Sequence, residues 1–169
     1  MSRRITLIAP LAFIAGLSTA QAQAPQPSAP AAPLPGYGTS ISVADAKKAA
    51  AAAIAEAGKI GSLPDAIAIV DPGGYLVYFE RMQDAHLGSV QFAIDKARSA
   101  VLFRRPTKVF EEALAGGRTA ILALHGGVPI EGGVLIIAGG KIAGAIGASG
   151  GTAPQDGQVA QAGADAVKQ

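Results

Sequence analysis

Residues 129–156 read PIEGGVLIIAGGKIAGAIGASGGTAPQD, and the fold class turns on this stretch. Two apolar runs, Val134 to Ala138 and Lys141 to Ala148, flank Gly139-Gly140, and a two-residue Gly-Gly joint between such runs signals a tight hairpin. The second run empties into Ser149-Gly150-Gly151-Thr152. Thr152 suits a helix N-cap, Pro154 sits just inside the helix start, and Asp156 places a carboxylate in the first turn, where it complements the helix dipole. A strand therefore feeds a glycine-rich loop at a helix N-terminus, a geometry that leaves backbone N–H groups pointing outward for a ligand. The same loop also reads as a sharp turn that lets strand and helix pack closely. It lacks the Gly-Lys-Ser/Thr ending of a phosphate-binding Walker loop and the GxGxxG spacing of a dinucleotide fold, which disfavours nucleotide binding.

Downstream of Pro154, the closing helix is expected to run to about Val167, with Val159, Ala162, Gly163 and Ala166 forming a stripe of small residues for close packing. Upstream, Ser42 with Asp45 three residues on marks a helix start, and the alanine-rich run that follows is expected to stay helical to Ala57 and stop at Gly58. Ala66 to Val70, the turn Asp71-Pro72-Gly73-Gly74 and Tyr75 to Glu80 read as a second hairpin. After a loop over Gln83 to Gly88, Ser89 is expected to cap a helix whose Val90, Ala93, Ile94, Ala97 and Val101 share one buried face. Thr107 is expected to cap a short helix through Leu114, stopped by Gly116-Gly117. Arg118 to Gly127 is readable as helical or irregular. Helix, two strands, helices, two strands, helix is the order of a single α+β domain, an antiparallel sheet covered by helices.

The first residues carry an export signal. Arg3 and Arg4 form a charged start, Ile5 to Leu17 an apolar run, and Ala20-Gln21-Ala22 a small-residue cleavage site, which predicts a signal peptide over residues 1–22 and a periplasmic or secreted product. The apolar run is too short to anchor the chain across a bilayer, and the mature chain has no transmembrane segment. Residues 23–38 are a Pro/Ala-rich spacer of low complexity, expected to be disordered, and the folded domain is placed at 39–169. Removing Arg3 and Arg4 from the fourteen Lys and Arg leaves twelve against twelve Asp and Glu, so the mature chain is close to neutral. The lack of a basic patch argues against nucleic acid as the partner. The sequence has no cysteine, so the exported domain folds without disulfides.

Several motifs together resemble the GlcG/HbpS family, which includes the C-terminal domain of PduO proteins. They are Ile69-Val70-Asp71-Pro72-Gly73-Gly74, Glu80-Arg81-Met82, Asp95-Lys96-Ala97-Arg98-Ser99-Ala100, Arg105-Pro106-Thr107-Lys108-Val109-Phe110, and GAIGASGGTAPQD followed by Val159-Ala160-Gln161-Ala162-Gly163. The resemblance covers about Ser42 to Val167. It implies a profilin-like antiparallel sheet of about five strands between helical layers, a homo-oligomer, and haem binding, with haem degradation proposed for some members. The chain departs from the family pattern at Gln83-Asp84, where Asp-Gly is usual, and at Ser99, where Thr is common.

Haem iron takes a His, Met, Cys or Tyr ligand, and cysteine is absent. His125 and His86 are the candidate metal ligands, both beside glycines in expected loops, with Met82, Tyr37, Tyr75 and Tyr78 as the remaining donors. His125 is preferred, because it leads through Gly126-Gly127 toward the hairpin and the Ser149 loop, whereas His86 lies in the loop that departs from the family pattern. Arg81, Arg104, Arg105 and Arg118 are candidates for pairing with propionates, and Lys96 is a candidate cation facing a pocket. Ser149, Gly150, Gly151 and Thr152 complete the candidate binding set. Glu131 and Asp156 are the candidate acid/base carboxylates of an alternative reading, a small-metabolite enzyme using the backbone donors of residues 147–152 as an oxyanion site. A haem-responsive partner of a membrane sensor is a third reading. Neither a Ser-His-Asp order nor an HExxH motif occurs, which argues against a conventional hydrolase or zinc site.

Overall fold

The computed structural model describes residues 33–63 and 65–168; the expected signal peptide and residues 23–32 of the expected spacer lie outside them. The glycine hairpin forms as its sequence predicts. Strands β3 (Gly133–Ala138) and β4 (Lys141–Ser149) pair antiparallel across Gly139 and Gly140, whose φ angles of 56° and 72° are both in the left-handed region that this turn demands. Strands β1 (Ala66–Val70) and β2 (Leu76–Arg81) form the second hairpin. Its turn is closed by Asp71, whose Oδ1 accepts the N–H groups of Gly73 at 2.8 Å and Tyr75 at 2.9 Å. Asp71→Ala is expected to cost about 1–2 kcal/mol, read as a lower urea midpoint at unchanged slope. An unchanged midpoint would show that Pro72 and Gly74 hold the turn unaided.

The hairpins join through an antiparallel β1–β4 contact, and the sheet order is β2-β1-β4-β3. Four strands form, where about five were expected. On the β1 side of β4, beyond the end of β1, the chain at Gly36 to Gly38 makes a single parallel bridge, Tyr37 to Ile142. Ile142 N–H donates to Gly36 O and Gly38 N–H to Ile142 O, each at 2.8 Å. Pro35 and the two glycines keep this segment from extending into a strand. The last three residues of the expected spacer thus belong to the fold.

Helices α1 (Val43–Ile60) and α4 (Ala153–Asp165) cover one face of the sheet, and α2 (Leu87–Phe103) covers the other. β1 alternates accordingly, with Ile67 and Ile69 toward α1 and α4, and Ala66, Ala68 and Val70 toward α2, so every residue of this inner strand is buried. The small stripe of α4 packs closely, as expected. A Cβ on Gly163 would stand 2.8 Å from the Ala49 carbonyl oxygen and 2.5 Å from Ile146 Cδ1.

Helix boundaries differ from the sequence expectation in four places. α1 continues past Gly58 to a left-handed Gly61, because tertiary burial of Ala57 outweighs the small propensity cost of an exposed glycine. α2 starts at Leu87 with His86 at the N-cap position, and Ser89 is buried in the first turn. α3 (Lys108–Ala115) follows Thr107, but the threonine hydroxyl turns away from its helix and accepts the Gly133 N–H at 2.9 Å, which ties α3 to the start of β3. α4 ends at Asp165. Within Arg118 to Gly127 the chain forms a 3-10 turn, Thr119–Ala123. Among the described residues, no helix is long and apolar enough to cross a membrane.

Candidate functional site

The register gathers polar residues at one end of the sheet. Ala66 pairs with Arg81 on one side and with Ser149 on the other, so Asp65, Met82 and Gly150, each one residue beyond, converge there. The start of α4 arrives at the same end through the Ser149–Thr152 turn, and Gly132 enters it because its carbonyl accepts the Ala148 N–H at 2.9 Å. Lys96, on the buried face of α2, reaches into this junction. Its Nζ lies 2.6 Å from Asp156 Oδ2 and 3.1 Å from the Ala148 carbonyl oxygen, with the Phe92 ring centroid 5.1 Å away. Lys96 is fully buried and Asp156 is 3% exposed, so the pair is desolvated and charge-assisted.

Asp156 stands in the first turn of α4, as expected for a carboxylate that complements the helix dipole; it is also buried, and its Oδ1 accepts the Gly151 N–H at 2.9 Å. Burial pushes its carboxyl up, with the Lys96 ammonium pulling the other way. The Thr152 N–H donates to Gln155 Oε1 at 3.0 Å, closing the first turn of α4 on itself. Two donors of the glycine loop are therefore taken internally, and the loop acts as a clasp on Asp156. Ser149 is buried, which leaves the ligand-binding reading of residues 149–152 without an outward cradle at Gly151 and Thr152.

Asp65 went unnoticed in the sequence. It is fully buried, neither carboxylate oxygen has a hydrogen-bond partner, and burial together with the neighbouring Asp156 charge pushes its carboxyl up to about 6. Ser62 Oγ, beside it, is also buried without a partner. Met82 clamps the same residue through its backbone. Its N–H donates to the Asp65 carbonyl at 2.9 Å, and its sulfur accepts the Asp65 N–H at 3.3 Å, so Met82 is packed against the core here. Arg81, next to it, is exposed at the end of β2.

Glu131 stands on the other side of the glycine backbone. A Cβ on Gly132 would lie 2.7 Å from Lys96 Nζ and 2.9 Å from Asp156 Cβ, and a Cβ on Gly157 would strike the Glu131 carboxylate. One layer of glycine main chain therefore separates the buried Lys96–Asp156 pair from Glu131, which is held by Lys108 Nζ at 3.3 Å and donates its backbone N–H to Glu111 Oε2 at 2.6 Å. Glu131 opens onto a cleft of about 520 Å³, whose charged and amide lining is Glu56, Lys108, Glu131, Gln158, Gln161 and Asp165. The two proposed acid/base carboxylates face different environments, and only Glu131 faces this cleft.

The histidines lie elsewhere and apart. His86 precedes α2, while Gly126, next to His125, abuts Leu102 near the far end of that helix. Seventeen residues at about 1.5 Å each put the two ends roughly 25 Å apart, so His86 and His125 cannot hold one metal ion together. Both are exposed. Beside His125, Asp95, Arg98, Leu102, Gly126, Gly127 and Val128 line a groove of about 420 Å³. Among the described residues, no group of three or more His, Asp or Glu is placed to share a metal ion.

A family model described as "Haem degrading protein HbpS-like" matches residues 41–165, nearly the whole folded domain. The chain belongs to the HbpS-like family. Protein GlcG of Escherichia coli K12 is 40% identical over 84 residues, which are 50% of this chain and 63% of that protein, so the match spans just under two thirds of its relative. The crystal structure of HbpS superposes on this HbpS-like chain with a TM-score of 0.70 at 30% identity, covering 78% of this chain and 93% of the other. A PduOC:heme complex superposes with a TM-score of 0.68 at 30% identity, covering 76% and 95%. The α+β fold expected from the resemblance is thereby shared with these solved relatives.

Proposed function

We propose that this HbpS-like chain binds haem, and that it does so outside the cytoplasm after removal of residues 1–22. The single observation that carries the proposal is the likeness, over three quarters of the chain, to a family relative whose crystal structure is a heme complex. Two clefts differ in how well their chemistry suits haem. The larger one presents three carboxylates against one lysine and contains no His, Met or Tyr, so it would repel propionates and offers no iron ligand. The groove beside His125 fits better: its own lining holds no iron donor either and one carboxylate, Asp95, but that carboxylate is matched by Arg98, and His125 directly precedes Gly126 in the groove wall. Leu102 is 53% exposed there, Val128 adds apolar surface, and Arg98 supplies a guanidinium whose Nε donates to the Gly74 carbonyl at 3.0 Å. His125 would ligate the iron through a neutral imidazole, Leu102 would lie against the porphyrin, and Arg98 would pair with a propionate. Bound haem supplies an iron centre for ligand or redox chemistry; the chain's own part is to hold and orient the ring. Degradation and sensing are finer readings of the same binding.

Titration of the purified protein with haemin is expected to give a saturable Soret shift. In His125→Ala the affinity should fall at least about tenfold, 1.4 kcal/mol or more, while His86→Ala leaves it unchanged. Loss confined to His86→Ala would move the site to the start of α2, and no Soret shift at micromolar protein would end the proposal. We further propose a homo-oligomer, consistent with the exposed Leu87, Leu102 and Leu122. A monomeric mass by light scattering at tens of micromolar would refute that part.

A further inference from the structure

The buried end of the sheet does not balance its charge. Asp65 and Asp156 bring two carboxylates into a region where Lys96 is the one ammonium, and Lys96 is committed to Asp156 at 2.6 Å. Asp65 reaches the interior from the residue before β1, with no exposed surface and no hydrogen-bond partner on either oxygen. What faces it can be named element by element: Asp156 from α4, Lys96 behind Asp156 from α2, the uncharged Ser62 after α1, the Met82 sulfur after β2, and the Gly151 N–H from the turn after β4. None of these supplies a second positive charge. An ionised carboxylate buried without a partner costs several kcal/mol, so the group neutralises instead.

We propose that Asp65 and Asp156 share a single proton, held mainly on Asp65, and that this proton is a pH-sensitive latch on the Ser149–Thr152 turn and the start of α4. Asp156 has the Lys96 ammonium at 2.6 Å to stabilise its negative charge; Asp65 has no cation beside it, so the proton rests there. As a neutral acid Asp65 becomes a donor, and Asp156 and Ser62 Oγ are the acceptors within reach, which removes the orphaned atoms. Deprotonation releases the proton to solvent and leaves two negative charges facing each other across the Gly151 N–H. The turn that clasps the Asp156 carboxylate is the element that gives way, since its Gly151 N–H bonds directly to the group whose charge is then opposed.

The sign follows from linkage. The Asp65 carboxyl lies at about 6 in the folded protein against 3.8 for an ordinary aspartate, so between these values the folded state holds a proton that the unfolded state has lost. Stability therefore falls as pH rises from about 4 through about 6, then levels off, opposite in direction to an aspartate held by a salt bridge.

The test is a carbon-13 carboxyl titration of the intact protein, which reads the proton directly. The pair is expected to take up its proton near pH 6, and Asp65→Asn to abolish that step. Amide exchange at Gly151 and Thr152, corrected for the intrinsic pH effect, is expected to quicken on the order of tenfold between pH 4.5 and pH 7 in the unmodified protein and not in Asp65→Asn. If Asp65→Asn fails to fold, the unmodified protein alone decides: titration of both aspartates below pH 4.5 overturns the proposal. So does a stability gain on replacing tetramethylammonium with sodium or potassium at constant ionic strength, because a cation would then stand where the proton is proposed.

Discussion

Lys96→Met is expected to destabilise the domain by about 3–5 kcal/mol, enough to unfold a marginal protein of this size at ambient temperature. The side chain is fully buried, and its ammonium is the partner that keeps Asp156 ionised inside the protein. Methionine fills most of the volume, so the loss comes from the stranded carboxylate and not from a cavity. Adding Asp156→Asn to Lys96→Met removes that stranded charge and is expected to recover a large part of the loss. Urea midpoints of the two single variants and the double variant give the coupling directly. A Lys96→Met cost below about 1 kcal/mol would mean that water reaches the pair, as it does in surface ion pairs.

Gly147→Ala should be nearly as damaging, for a steric reason. Gly147 lies in the middle of β4 under α2, where a Cβ would overlap the Ala93 carbonyl oxygen and stand 2.8 Å from the Ala97 nitrogen. Both obstacles are backbone of a helix packed along the sheet, so relief requires α2 to lift away from Ala66, Ala68 and Ala145. Overpacking of this kind costs about 1–3 kcal/mol, and the expectation here is the upper end or failure to fold. Gly58→Ala is the control. Gly58 sits exposed inside α1 with no atom near its missing Cβ, and the substitution is expected to stabilise by about 1 kcal/mol through helix propensity. Thermal unfolding of both variants tests the pair; a Gly147→Ala protein as stable as its parent would show that α2 does not press on β4.

The resemblance of the motifs gave the family and fold class before any geometry, and the local elements were legible for a local reason. Ser42 accepts the Asp45 N–H three residues on at 3.1 Å, Asp71 closes its turn within four residues, and Gly139-Gly140 supplies two left-handed residues in a row. Each of these interactions is completed inside a short window of chain. The local reading falls short where a distant partner intervenes. Thr107 has the composition of a cap, yet its hydroxyl is claimed by Gly133, 26 residues away. Ser89 was read as a cap, yet it is buried inside the first turn of α2, which starts two residues earlier at Leu87. Lys96 carried a faint signal, a charged residue three positions after Ala93 on an otherwise apolar helical face. Its partner carried none, because Asp156 lies 60 residues further along and suits the start of a helix as well on the surface as in the core. Asp65 had no signal at all. Its environment is made by α1, α2, β2 and α4 meeting where β1 begins, and that meeting is set by the register that places Ala66 opposite both Arg81 and Ser149. Sequence by itself determined which segments are helix, strand and turn, since those choices rest on backbone conformation and near neighbours. Tertiary structure alone decided which charges lie out of water and which face one another, because desolvation and pairing depend on what the rest of the chain brings alongside.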